Sequence, residues 1–328
     1  MLCAPGRPRA AEAEEPPAAT PGGPPAAGAE GDATAEVDAI LARFYPAPAD
    51  GPALRLAHTP TRLYLDATYA RSADLSALPY VAGDGTNFRF AAGGSWRWRR
   101  FAFAAEVPFT QVTTLTVTQI PGGAPIPADS HQTAVSFGDI RLGADWTDHL
   151  TPALVGGFGL RGWLPTHTTA FQFHLVDGSL GLYSFPYYFH IEPTAILGGA
   201  FGRWTFVVNQ GAIVIMGPDG NFGDIHFHQP TVAFWDAHYA VSFAPVDVLA
   251  ASLEIATDVQ LNHVSGLDFQ KLNGVRSAWI APALQLHLDD YRVDLIARFG
   301  LTRGADLFGV IEYAGTNCLT LRVTRAWY

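Results

Sequence analysis

The chain has 328 residues, of which 48% are hydrophobic and only 15% charged, where an ordinary soluble domain carries roughly 25% charged residues. With a net charge of −10 and Lys271 as its single lysine it offers no nucleic-acid surface. Cys3 and Cys318, at opposite ends, give neither a disulfide framework nor a metal-ligand spacing. No run approaches the ~20 apolar residues of a spanning helix; the longest candidate, 204–218, is interrupted by Asn209, Gln210 and Gly211.

Residues 1–53 are rich in Ala, Pro, Gly and Glu and lack an aromatic before Phe44, the composition of a disordered tail. Within them Asp32 can cap a short helix near 33–44, with Val37, Ile40, Leu41 and Phe44 on one stripe and a stop at Pro46. Such a helix is expected to pack on the following domain or to lie at its mouth. No signal-peptide pattern precedes Cys3, whereas AEA at 11–13 has the small-x-small form of a cleavage site. The expectation is a start assigned too late and an export signal lost.

Residues 54–328 form the second unit. From residue 61 the chain divides into alternating runs of membrane-spanning length, near 61–72, 86–98, 100–111, 132–147, 151–165, 186–202, 203–216, 226–243, 247–263, 275–289, 291–302 and 317–328. Short connections (Arg99, TDHL at 147–150, Gly202–Arg203, APVD at 244–247, Asp289–Asp290) alternate with long ones at 73–85, 112–131, 166–185, 217–225, 264–274 and 303–316. Twelve strands with that rhythm predict an all-β fold: a transmembrane antiparallel up-and-down β-barrel with short periplasmic turns and both termini on the turn side.

One face of these strands is uncharged, as in Phe101, Phe103, Ala105, Val107 and Phe109, or Tyr291, Val293, Leu295, Ala297 and Phe299. It suits hydrocarbon. Trp96, Trp98, Trp146, Trp204, Tyr239, Tyr291 and Trp327 are expected to form the interfacial girdle near the short turns. The opposite face is predicted to line a lumen with Arg62, Asp66, Arg89, Glu106, Asp139, Arg141, Asp145, Arg161, His190, Glu192, Asp236, His238, Glu254, Asp258, Arg292, Asp294, Arg298 and Arg322. For the strand at 203–216 both faces look apolar and neither can be assigned inward.

The stretch SFGDIRLGADW (136–146), followed by PALVGGFGLRGWLPT (152–166), resembles the outer-membrane transporter-like proteins grouped with the meta-pathway phenol-degradation family. There a Gly-Asp pair opens a strand and the next strand ends in Leu-Pro-Thr. The likeness covers residues 61–166, and the second half shares only the architecture. His167 stands where a Gly often follows Leu-Pro-Thr in that family. The resemblance implies a barrel for passage of hydrophobic or small organic compounds and brings no catalytic residues with it.

The leading functional expectation is therefore a bacterial outer-membrane channel or transporter-like barrel for small molecules, hydrophobic ones included. Its partners would be outer-membrane lipid, the barrel-assembly machinery reached through the C-terminal strand LTLRVTRAWY (319–328), and a small solute. Two alternatives stand beside it: a structural barrel with a filled lumen, and an outer-membrane lipid hydrolase. The second rests on NHVSG (262–266), which resembles the His-x-Ser of outer-membrane phospholipases, with His263 as base and Ser265 as nucleophile. His226 and His228 could be two same-face ligands, but spacing fixes no third, so neither metal nor cofactor is expected. The topology predicts that single cysteines at Gly123 and Gly178 label from outside intact cells and one at Asp290 does not; labelling at Asp290 alone would reverse it.

Overall fold

Successive side chains of a strand point to opposite faces, so a regular apolar–polar alternation is stable only where one face meets an apolar medium and the other a polar one. The computed structural model describes residues 34–40, 56, 58–72, 82–119, 131–166, 170–174, 180–184, 189–216, 220–222, 225–227, 231–262, 276–302 and 317–327. Helix α1 spans 34–40. The strands are β1 (Thr61–Ser72), β2 (Ala82–Trp98), β3 (Phe101–Gln119), β4 (His131–Ser136), β5 (Ile140–Thr151), β6 (Leu154–Leu164), β7 (Ala170–His174), β8 (Leu180–Ser184) and β9 (Phe189–Phe201). They continue as β10 (Trp204–Met216), β11 (Gly220–Phe222), β12 (Ile225–Phe227), β13 (Val232–Val246), β14 (Leu249–Gln260), β15 (Arg276–Leu288), β16 (Tyr291–Gly300) and β17 (Asn317–Trp327).

β4 and β5 are the two halves of one pass, so the wall has twelve passes, each antiparallel to its neighbours. The ring closes where β17 returns to β1, in register from Thr61↔Trp327 to Arg71↔Asn317. Apart from that seam every pass pairs with its neighbour in sequence, which is an up-and-down barrel.

The five turns at one end are two residues long: Arg99–Arg100, Pro152–Ala153, Gly202–Arg203, Asp247–Val248 and Asp289–Asp290. Two of them differ from the sequence expectation. Residues 147–150 and Ala244–Val246 stay extended, and the chain reverses only at Pro152–Ala153 and Asp247–Val248. In three turns the first residue is left-handed: Arg99 (φ 56°), Gly202 (φ 57°) and Asp289 (φ 51°). Gly and Asp tolerate this conformation; at Arg99 it costs about 1–2 kcal/mol, and the guanidinium lies over the Trp98 ring, 5.5 Å from its centroid. At the other end β2 and β3 run further than expected, to Ala82 and Gln119, and two small hairpins, β7–β8 and β11–β12, stand in the long connections. Residues 225–227, expected to begin the eighth pass, belong to the second hairpin, where His226 faces Asn221 in register.

The fourth pass is broken for a local reason. Pro108 has no N–H to give the ladder, and the β2–β3 register slips between Phe90↔Thr110 and Ala91↔Pro108, leaving Phe109 as a bulge. Opposite it, residues 137–139 leave the sheet, and Gly138 N donates to Pro108 O at 3.0 Å. Thr166 then staples the break. Its hydroxyl donates to Gly138 O (2.8 Å), Ile140 N donates to the same hydroxyl (3.0 Å), and Thr166 N donates to Asp139 Oδ1 (2.9 Å). The Gly-Asp and Leu-Pro-Thr elements that the sequence pairs are two sides of one clamp. Losing the Thr166 hydroxyl should cost about 1–2 kcal/mol.

The outer face bears Leu63, Leu65, Phe103, Phe158, Leu160, Leu253, Leu284, Leu295 and Leu321, all exposed. Among the described residues, charged side chains on it sit at its ends, as Arg71 and Arg276 do beside the long loops and Arg325 beside the turns. At the turn end aromatics pair across strands: Trp96 with Phe103 (6.1 Å), Trp98 with Phe101 (6.4 Å) and Trp204 with Phe243 (4.5 Å). Arg325 spans the Tyr291 and Trp327 rings at 5.6 and 5.3 Å, where an interface lets its charge reach water. Tyr239 departs from the expected girdle. It registers with Val208, well up the wall from Trp204, and its hydroxyl accepts a bond from Gln210 Nε2 (3.2 Å). Two polar groups thereby satisfy each other on the apolar face. Leu295→Lys should destabilise the barrel by about 2–4 kcal/mol, read from urea unfolding in lipid vesicles, whereas Leu288→Lys beside its turn should cost far less.

Candidate functional site

The inward faces turn nearly every ionisable residue of the wall into one lumen. Of the expected lining set, Arg62, Asp66, Arg89, Glu106, His190, Glu192, Asp236, His238, Glu254, Asp258, Arg292, Asp294, Arg298 and Arg322 are buried there, and Arg141, Asp145 and Arg161 are half-buried. Asp139 has a different job: its carboxylate belongs to the Thr166 staple at the strand break. For β10, whose faces the sequence leaves open, the structure puts Thr205, Val207, Asn209, Ile213 and Ile215 inward and Trp204 and Val208 outward.

The charges sort by wall. On one side stand Arg62, Arg89, Arg141, Arg161 and Arg322, from β1, β2, β5, β6 and β17, with Glu106 of β3 at their centre. Glu106 takes a close bond from Arg89, lies 3.3 Å from Arg141 Nη1 and 4.0 Å from Arg322 Nη2, and accepts the Tyr64 hydroxyl at 2.8 Å. Asp66 pairs with Arg322, its partner in the β1–β17 register. Tyr64 lies flat over Gly93, where an added Cβ would stand 2.2 Å from Tyr64 Cζ; only glycine admits the ring. Its other face meets Arg322 at 4.3 Å and Arg62 at 5.6 Å. Beside this group is a cavity with about 570 Å³ of empty space, including its open side, lined among others by Arg62, Tyr64, Glu106, Arg161 and Trp163.

Half the ring away, β13 and β14 present an acidic wall. His238 bridges Glu254 (Nδ1, 2.5 Å) and Asp236 (Nε2, 2.8 Å), and Asp258, level with Asp236, accepts the Ser277 hydroxyl at 3.0 Å. Arg298 lies 4.1 Å over the Trp279 ring, which meets His238 edge-on at 6.1 Å. Arg292 Nε reaches Asp294 at 3.0 Å. Burying each such ion alone would cost several kcal/mol, and the pairing offsets that penalty.

The turn-end mouth is occupied. Val37 and Ile40 of α1 pack on inward-facing Val155, Ile196, Ala200, Val207 and Ala240, and Ile40 also on Ala244 and Ala250. Asp38 Oδ1 lies 3.1 Å from both His58 Nδ1 and His149 Nε2, in ion-pair contact without hydrogen-bond alignment. Sequence reasoning placed a helix near the mouth but missed Asp38, His58 and His149, because His149 sits in a stretch that reads as a turn. It also missed Tyr64 and Trp163, whose inward parity was legible beside Arg62 and Arg161. His263, Ser265 and His228 lie outside the described residues. Among the described residues no group of three or more His, Cys, Asp or Glu is placed to hold a metal.

A closed ring, an apolar exterior with an aromatic edge and a charged interior define a transmembrane β-barrel. Neither a protein-family model nor a curated protein sequence matches the chain. Among solved structures it is similar to the translocator domain of the autotransporter NalP from Neisseria meningitidis (TM-score 0.52, 11% identity, 82% of this chain and 89% of that one). It is also similar to the NanC porin (0.44, 10%, 81% and 99%) and to the Ralstonia pickettii toluene transporter TbuX (0.41, 9%, 82% and 90%). At these identities the likeness is one of fold.

Burial alone would raise the Asp38 carboxyl, but the His58 and His149 imidazoles outweigh it and hold the group below its ordinary value. A depressed carboxyl stabilises docking at pH above the free value of about 4 and loses that contribution as pH falls through the docked value. With Cys3 and Cys318 replaced by serine, Val37→Cys should therefore react slowly with a thiol reagent at neutral pH relative to an exposed reference cysteine at the same pH, and that ratio should rise below about pH 4. Adding Asp38→Asn should make it reactive at neutral pH and remove the pH dependence.

Proposed function

We propose that the protein is a passive channel of the bacterial outer membrane for small molecules, entered from the long-loop side and narrowed at the turn side by α1. The observation that supports this best is the polarised lumen, with an arginine wall set across the ring from an acidic one beside an unfilled cavity. A barrel that only anchors or braces would be served by a packed interior; opposed charged walls and unfilled space suit polar solutes and water in transit. The resemblance of 136–166 to the meta-pathway phenol-degradation family points the same way. Assembly through the exposed apolar face of β17, the last strand of the seam, belongs to the same reading.

Opposed walls imply small conductance and weak selectivity between cations and anions. In planar bilayers the full chain should conduct, and removal of residues 1–53 should raise single-channel conductance. Changing Glu254 and Asp294 to lysine should move the reversal potential toward anion preference, since charged rings set selectivity at close quarters. No conductance and no solute-driven liposome swelling, with or without residues 1–53, would leave only a filled, structural barrel.

A further inference from the structure

Gln210 is out of place on the outer wall. It is the seventh of the thirteen residues of β10, and its side chain is exposed on the lipid face. At about 3.4 Å per residue and a tilt of about 40° it stands roughly 15 Å above Trp204, near the middle of an apolar band about 25 Å tall. Its bond to the Tyr239 hydroxyl uses one N–H of the amide. Among the described residues the second N–H meets no acceptor and the carbonyl no donor. Thr257, level with it two strands away, shows the usual remedy: its hydroxyl donates to Ser277 O at 3.0 Å. No water reaches this depth to do the same for Gln210, and a half-met amide in hydrocarbon is costly.

The wall around the amide is low. Its in-register neighbours on β9 and β13 are Ala195 and Ala237, and Ala212 is next on the same face of β10. None of the three extends past its Cβ, so Gln210 rises from a shallow patch. Small residues of this kind let two membrane walls approach closely around a polar pair. The wall across the ring is different: Leu63 and Leu65 of β1 are large, exposed and apolar.

We infer that this patch is where two copies of the chain meet in the membrane, with Gln210 on each side of the contact. The bilayer itself narrows the choice of partner. Two copies inserted the same way lie at the same depth, so a two-fold axis along the bilayer normal brings a residue against its own counterpart. Pairing at such an axis works only for a group that both donates and accepts. A primary amide does: each carbonyl takes the free N–H of the other, in bonds that lipid chains cannot supply. A lysine or a carboxylate at the same position would meet its own charge.

The test is single-molecule photobleaching of the full-length barrel in phospholipid vesicles, with Cys3 and Cys318 replaced by serine and one dye on Asp290→Cys at a turn. The unaltered wall should give two bleaching steps more often than random co-insertion does. Gln210→Leu and Ala195→Phe, both apolar and so compatible with lipid, should each raise the dissociation constant in the bilayer at least tenfold while the barrel keeps its heat-modifiable gel mobility. Leu65→Phe, on the far wall, should leave it unchanged. Single steps at every protein density would mean that lipid alone covers the face, and would overturn the inference. Undiminished pairing of a folded Gln210→Leu barrel, or an equal loss with Leu65→Phe, would overturn it too. The unaltered barrel decides whether copies pair even if a variant does not fold. No conductance is read, so the result stands apart from the channel reading.

Discussion

Backbone hydrogen bonding in a medium without water is the constraint on which the other features rest. Each N–H and C=O within hydrocarbon must be met by the chain itself, so a sheet there can have no free edge. The seam between β1 and β17 is where that demand is met, over eleven paired positions spanning nearly the whole chain. The same seam fixes which face is inside. A slip of one residue would turn Asp66 and Arg322 to lipid and Leu65 and Leu321 to the lumen, so closure and charge placement enforce each other.

Once the ring is closed, the interior inherits a second constraint. Charges excluded from the lipid face are crowded together and must be compensated locally. Registered partners do part of this, as Asp66 does with Arg322, and shared acceptors do more, as Glu106 does with three arginines and Tyr64. The compensation is uneven around the ring. Arginines gather over β1, β2, β5, β6 and β17, and carboxylates around His238 on β13 and β14. Charges sorted in this way set a transverse field across the lumen. Helix α1 adds an apolar cover at one mouth, held on its flank by Asp38 between two imidazoles.

The motif on which the sequence resemblance rests serves the wall itself. Gly138, Asp139 and Thr166 do not face a solute; they close a gap in the wall opened by Pro108. A recurrent sequence pattern can thus report how a barrel bends and say little about what moves through it. The solute-facing residues are instead spread over many passes, one or two per strand, and have no local signature.

Strand number, the short–long rhythm of the connections and the parity of most strands were legible because each is a short-range property: alternation has a period of two, and Leu319, Leu321 and Val323 show it without reference to any other strand. The outward girdle and the inward charges follow from parity alone, which is why residues such as Trp327 and Arg298 could be placed in advance. Turn positions were less legible, since His149 and Ala244 stay extended where local composition suggests reversal, and ladder pairing with β6 and β14 decides. Tyr239 misled because its distance from a turn depends on where that turn falls. β10 could not be oriented at all, as Val207 and Val208 are equally apolar, and only its registers with β9 and β13 choose between them. Partnership inside the lumen was beyond reach from the sequence: that Arg322 finds Asp66 and Arg62 lies over Tyr64 depends on stagger around a closed ring, a geometry that exists only after the last strand has joined the first.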